Sequence, residues 1–226
     1  APSVQWVLVF GVGLIGETLL AELSRRGFYV AVRLSFSWQP DLDKTRADEM
    51  EAICMWLHAR VSAQSNAGMN ANRMSIDTVW SAGSGGFSST WAALDEEVGA
   101  FRAVTCLSTR LLDTLPLAAH RFHLTSSAGG LYEGQRNVGA KTVPAPQRPY
   151  GELKLEQEKQ LHATSGALFK RIYRPSSVYG FLSLNGRQGL ISTLINNGMR
   201  GQVTKIFAAG RTLRDNALLV DVRTVI

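Results

Sequence analysis

Cysteine is nearly absent from this 226-residue sequence: only Cys54 and Cys106 occur, at no paired spacing. That excludes a disulfide framework and a thiolate zinc site, and points to a reducing compartment, the cytoplasm. The histidines, His58, His120, His123 and His162, form no ligand cluster, so no metal is expected. Long apolar runs are missing as well. The apolar opening from Val4 to Ile15 is short, has no basic flank before it and runs into a glycine turn, so neither a signal peptide nor a membrane span is expected. No block of one charge sign exists: the net charge is +6, yet the Lys and Arg residues are scattered without interleaved aromatics. Nucleic acid is therefore not the expected partner, whereas a basic cleft for an anionic nucleotide fits the balance. Repeats and low-complexity stretches are also lacking. With 45% hydrophobic and 19% charged residues, the chain can bury a core as one domain, or as one domain with a small appendage.

What is present begins with Val4 to Phe10, a near-continuous apolar run of the kind found in strands covered on both faces. It leads straight into Gly11-Val12-Gly13-Leu14-Ile15-Gly16. A helical pattern from Glu17 to Arg26 follows, stopped by Gly27, and then a second strand over Phe28 to Val32. A Gly-x-Gly-x-x-Gly turn in this strand-turn-helix setting predicts a dinucleotide site, with the pyrophosphate on the N–H groups that open the helix. At the end of the second strand, where an acid would bond the ribose of NAD, the sequence has Arg33-Leu34-Ser35-Phe36-Ser37 and no acid before Asp41. Arg33 with nearby serines suits a 2′-phosphate, which favours NADP slightly over NAD.

The rhythm continues with a helix over Asp41–Gln64, a polar loop, and a strand over Ile76–Gly83 whose end, with Ala82 and Gly83, is small enough to admit a flat ligand. A helix over Leu94–Leu115 precedes the strand Arg121–Thr125, which ends in the hydroxyl pair Ser126 and Ser127. After a proline-containing loop, Tyr150 opens a helix running to about Thr164, with Lys154 one turn along. Phenol and ammonium then share a face, and a fixed positive charge favours the ionised form of a phenol. A strand over Leu168–Tyr173 leads to Arg174-Pro175-Ser176-Ser177-Val178-Tyr179-Gly180. Beyond it the alternation loosens: a helix at Leu190–Met199, a short strand at Lys205–Phe207 and another near Leu218–Asp221. The expected fold is α/β: a Rossmann-type doubly wound parallel sheet over 1–175, with a small, apparently incomplete C-terminal substrate lobe over 176–226.

These pieces together resemble the extended short-chain dehydrogenase/reductase family, in its NAD-dependent epimerase/dehydratase group. The likeness rests on Phe10 to Gly16, Trp80-Ser-Ala-Gly83, Leu124-Thr-Ser-Ser-Ala128, Tyr150-Gly-Glu-Leu-Lys154, Arg174 to Gly180, and Gly210-Arg-Thr-Leu-Arg-Asp215 with Leu219 to Val222. The resemblance implies Tyr150 as general acid/base and Lys154 as the charge that favours the phenolate and bonds the nicotinamide ribose. It implies Ser127, directly before Ala128, as the hydroxyl that orients the substrate. It further implies Gly11, Gly13, Leu14, Ile15, Gly16, Arg33, Ala82, Gly83 and Pro175 at an NAD(P) cofactor, with Ser177 and Arg214 facing the substrate. The implied reaction is hydride transfer at a carbinol carbon of a nucleotide-linked sugar. An NADPH-dependent carbonyl reductase and a non-enzymatic dinucleotide sensor are the alternatives. Departures from the family's pattern are Phe10 in place of a glycine, Thr105 in place of a relay asparagine, and Ser177 in place of an asparagine. A homodimer through the helices at about 94–115 and 150–164 is a family-level expectation.

Overall fold

The structure, a computed structural model, describes residues 4–27, 29–34, 43–83, 85–86, 89–164, 166–180, 190–204 and 216–218. The opening apolar run is strand β1 (Val4–Phe10), and helix α1 (Leu14–Arg26) starts inside the glycine turn, three residues earlier than periodicity alone suggests. Gly27 closes α1 in the left-handed region at φ 71, its N–H bonding to the Leu23 carbonyl. Strand β2 (Tyr29–Leu34) extends past the expected end at Val32, so Arg33 lies within the strand and pairs with Val9. Next come helix α2 (Asp43–Asn66), a 3-10 turn at Ala71–Arg73, and strand β3 (Met74–Trp80). The long helix α3 (Trp91–Thr114) leads to strand β4 (Ala119–Thr125), a short helix α4 (Ala128–Leu131), helix α5 (Pro149–Ala163) and strand β5 (Phe169–Tyr173). Strand β6 (Ser177–Tyr179), helix α6 (Leu190–Met199) and strand β7 (Asn216–Leu218) complete the described elements. The strand expected at Lys205–Phe207 lies outside the described residues.

Five strands form one parallel sheet in the order β2-β1-β3-β4-β5; β6 and β7 pair in a second, two-stranded parallel sheet. From β1 the chain moves one way to β2, then returns past β1 to β3. Because crossovers are right-handed, that reversal moves the connecting helix to the opposite face. Two cores result. Trp6, Leu8 and Phe10 of β1 join residues of α2, α3 and α5 in the larger one, while Val7 and Val9 meet Leu19 and Leu23 of α1 in the smaller. Alternation along a strand sends successive side chains to opposite faces, and here both faces of β1 are apolar. Helix α2 is 24 residues, about 36 Å, enough to span the return from one sheet edge to the centre.

Beside the small core, the same face carries a polar row across four strands. Asp77 of β3 accepts from Gln5 of β1 (2.5 Å) and from Arg121 of β4 (2.9 Å), and His123 of β4 lies 2.7 Å from its other oxygen and 3.0 Å from the Tyr173 hydroxyl of β5. Burial pushes the Asp77 carboxyl up. The His123 hydrogen bond, the charges of His123 and Arg121 and the Gln5 bond outweigh that and hold it below the usual carboxylate range. Among the described residues no helix is long and apolar enough to cross a membrane, and no cluster of His, Cys, Asp and Glu has the arrangement to hold a metal. Cys54 is buried and Cys106 exposed, both as free thiols.

Candidate active site

The carboxyl ends of β1, β3, β4 and β5 meet the start of α5 around a cleft of about 240 Å³. Ile15 of α1 enters from one side, and Ser81, Ala82, Gly83 and Gly85 follow β3. Thr125, Ser126 and Ser127 stand at the end of β4, Tyr150 and Lys154 on α5, and Pro175, Ser176 and Val178 beyond β5. This is the position at which a parallel sheet with reversed strand order opens a crevice.

The turn after β1 is built on close approach. Gly11 has φ 94, and a methyl group there would stand 2.2 Å from the Ala82 backbone. Ser81 ties the same turn down by donating to the Gly11 carbonyl at 2.7 Å. Gly13 faces open space, and as N-cap of α1 it provides no side-chain acceptor for the helix's first N–H groups. Those donors suit an anionic pyrophosphate. Further along the cleft, Thr125 Oγ1 and Ser126 Oγ are buried with no hydrogen-bond partner among the described residues, though each lines the opening. Buried hydroxyls left in this way suit a polar ligand laid against the strand ends. The residues present therefore fit a dinucleotide.

Tyr150 follows Pro149, which occupies the first turn of α5, where a missing N–H costs nothing. Its ring lies between two glycines: a methyl on Gly130 would come within 3.2 Å of it, and one on Gly85 within 3.3 Å. Gly151 brings α5 against α4, since a methyl there would meet the Gly130 carbonyl at 2.2 Å. The Lys154 ammonium stands 5.7 Å from the Tyr150 ring centroid. It is not a solitary charge. Lys154 is 4% exposed and donates to Glu97 of α3 (2.9 Å) and to the side-chain oxygen of Gln157 (3.0 Å), while Gln157 also donates to Glu97 (3.0 Å). A buried ammonium requires a counter-charge, and Glu97 supplies it, a partner the sequence reading did not foresee. Ser127 caps α4, its Oγ accepting from Gly130 N at 3.1 Å, a bond that does not use the hydroxyl's own proton.

The end of β5 is fastened to the same region. Arg174 forms a two-pronged pair with Glu158 of α5 (2.9 and 2.6 Å) and donates to the Tyr132 hydroxyl at 2.5 Å. The Glu158 hydrogen bonds push the Arg174 guanidinium above its ordinary range. Backbone bonds from Ser126 N to Tyr173 O (2.8 Å) and from Ala128 N to Pro175 O (2.9 Å) join the two strand ends.

Of the residues singled out in the sequence, Ile15, Ala82, Gly83, Ser127, Tyr150, Lys154 and Pro175 line one cleft. Gly11 and Gly16 shape the turn behind it, while Gly13 and Leu14 stand at the head of α1. Arg33 belongs to β2, and Arg214 lies outside the described residues. Ser177 is not in the lining although Ser176 and Val178 are, as extended backbone turns alternate side chains to opposite sides. Thr105 is likewise apart, its hydroxyl donating to the Arg102 carbonyl one turn back in α3. Smallness after β3 also has a packing cause. The space beside Gly83 holds the Glu97 carboxylate (2.7 Å from a methyl placed there), and that beside Gly85 holds Leu94 (2.5 Å). Sequence reading missed Glu97, Gln157, Thr125 and the Arg174–Glu158–Tyr132 group. Only Gln157 and Glu158 carried a local signal, lying three and four residues beyond Lys154 on one helical face.

Residues 7–226 match the description of the NAD dependent epimerase/dehydratase family. The chain belongs to this family. Among curated proteins none is similar enough to count as a relative. Solved structures of similar fold include MoeE5 in complex with UDP-glucose and NAD, at 21% identity and TM-score 0.66 over 97% of this chain and 69% of that one. A UDP-glucuronic acid 4-epimerase from Bacillus cereus, in complex with UDP-glucuronic acid and NAD, shares 17% identity at TM-score 0.67, over 98% of this chain and 72% of the other. A UDP-glucose 4-epimerase with UDP-glucose, from Thermotoga maritima, shares 18% at TM-score 0.62, over 97% and 71%. At these identities the likeness establishes the epimerase/dehydratase fold.

Proposed function

We propose that this member of the epimerase/dehydratase family binds NAD and carries out hydride transfer at a carbinol carbon of a nucleotide-linked sugar, with Tyr150 as general acid/base. The observation that carries the reading is the convergence of Ser127, Tyr150 and Lys154 on one cleft beside the Gly11 turn. A bound nicotinamide supplies the two-electron chemistry that no side chain can. Tyr150 holds or takes the proton of the reacting hydroxyl, fixed in place by the glycines on either side of its ring. Ser127, its acceptor side occupied by Gly130, donates its proton to the substrate oxygen. Lys154 presents positive charge beside the phenol and a donor to the ribose. The family description names NAD, and so do the MoeE5 and Bacillus cereus structures, so NAD replaces the NADP leaning drawn from Arg33.

The test is calorimetric titration with NAD and NADP, followed by turnover assays on UDP- and dTDP-linked sugars for wild type and Tyr150→Phe. The expected result is saturable NAD binding and turnover reduced about 10²-fold or more by removing the phenol oxygen. Absence of binding by either dinucleotide at millimolar concentration would sink the reading. NADPH consumed with a simple ketone, and no conversion of nucleotide sugars, would replace it with a carbonyl reductase.

A further inference from the structure

Glu97 is the least expected group near the cleft. It is 4% exposed, it comes from α3, and it lies behind the glycine segment that follows β3. Its Oε1 accepts from both Lys154 and Gln157, while its Oε2 is buried with no hydrogen-bond partner among the described residues. An ammonium has three N–H donors. Two are taken, by Glu97 Oε1 at 2.9 Å and Gln157 Oε1 at 3.0 Å, which leaves a single donor for the cleft that Lys154 lines.

We propose that Glu97, together with Gln157, is a positioning residue that clamps Lys154 so that its third N–H is delivered to the diol of the nicotinamide ribose. This inference rests on the dinucleotide reading above and adds to it a residue that touches neither cofactor nor substrate. A lysine side chain has four rotatable bonds and loses much freedom when fixed. In this arrangement that cost is met in the folded protein before ligand arrives, which is how preorganisation favours binding. The glycine at 83 is part of the same device, because a methyl group there would strike the Glu97 carboxylate at 2.7 Å. The ion pair also has a bearing on the phenol: the charge beside Tyr150 is a lysine already paired with a carboxylate, so its field at the ring is that of a dipole.

The experiment is a double-mutant cycle on NAD affinity, measured by titration calorimetry, with Glu97→Gln, Lys154→Met and the pair of changes together. Glu97→Gln keeps shape and acceptor and removes only the charge, and thermal melts verify folding. The clamp predicts a loss of about tenfold in NAD affinity for Glu97→Gln in the wild-type background, and less than twofold in the Lys154→Met background, because the carboxylate acts only through the ammonium. Equal losses in both backgrounds, or no loss in either, would overturn the clamp. Should Glu97→Gln fail to fold, Gln157→Met carries the same cycle. If wild-type protein does not bind NAD or NADP at all, the dinucleotide reading itself falls, and the clamp with it. Saturable wild-type binding with an additive cycle removes the clamp alone.

Discussion

Acid should weaken this fold through one imidazole, His120, before the buried Asp77 carboxylate is protonated. His120 of β4 is 1% exposed; its Nε2 lies 3.1 Å from Thr78 Oγ1, itself 3.2 Å from the Ser108 hydroxyl of α3, and its Nδ1 has no partner among the described residues. Burial lowers its pKa from 6.5 to about 4, against a smaller upward pull from Asp77. For a base depressed in the folded state, the neutral ring favours folding. That contribution is complete above pH 6.5, declines as pH falls, and is gone below about pH 4, where both states carry the proton. The gap between about 4 and 6.5, at about 1.4 kcal/mol per pH unit, amounts to about 3 kcal/mol. That is a large share of a total stability that typically lies at about 5–15 kcal/mol. Asp77, held below 3.8, contributes stability that is present above that value and lost only at lower pH, so the two windows do not overlap. Urea denaturation of wild type and His120→Gln from pH 4 to pH 8 isolates the effect as the difference between the two curves. The stability of wild type relative to variant should fall by about 3 kcal/mol between pH 7 and pH 4. A difference independent of pH would refute the reasoning.

Other consequences can be read from single contacts. Gly151→Ala forces a methyl to within 2.2 Å of the Gly130 carbonyl, and the expected cost of prising α4 from α5 is about 1–3 kcal/mol, seen as a lower melting temperature. Gly11→Ala combines φ 94 with a 2.2 Å approach to Ala82, so loss of NAD binding or of folding is expected from calorimetry and circular dichroism. Arg174→Met leaves Glu158 buried without its partner and should cost about 1–3 kcal/mol, whereas adding Glu158→Met should recover most of it; two separate, additive losses in urea melts would contradict this.

The alternation of strands and helices was readable because each long element carries its own local pattern. The apolar run of β1 and the helical spacing of Leu19, Leu20 and Leu23 in α1 each declare their class without help from distant residues. Helix α4 was not, because its four residues, Ala128–Leu131, are too few for any period and begin at a serine that a strand end also accommodates. At the site, Tyr150 and Lys154 were legible through their one-turn spacing and Ser127 through its place at a strand end. Glu97 was illegible for a physical reason: its partner is 57 residues away, and a glutamate in the first turns of a charged helix reads as a solvated residue until α3 is packed on α5. Arg174 and Glu158 were hidden in the same way, since the pairing appears only once β5 lies beside α5.

The polar row of Gln5, Asp77, Arg121, His123 and Tyr173 has a consequence for how the chain finds its alignment. An apolar parallel sheet penalises a sliding error weakly, because one valine replaces another. Here a slip of β4 by a single residue would point Phe122 at Asp77 and send His123 into the opposite core, losing the Asp77 and Tyr173 bonds together. The row thus acts as a key cut across β1, β3, β4 and β5. The strand that leads to Ser127 and the strand that leads to Arg174 can lock at only one offset, so the cleft is set to its working alignment as the sheet assembles.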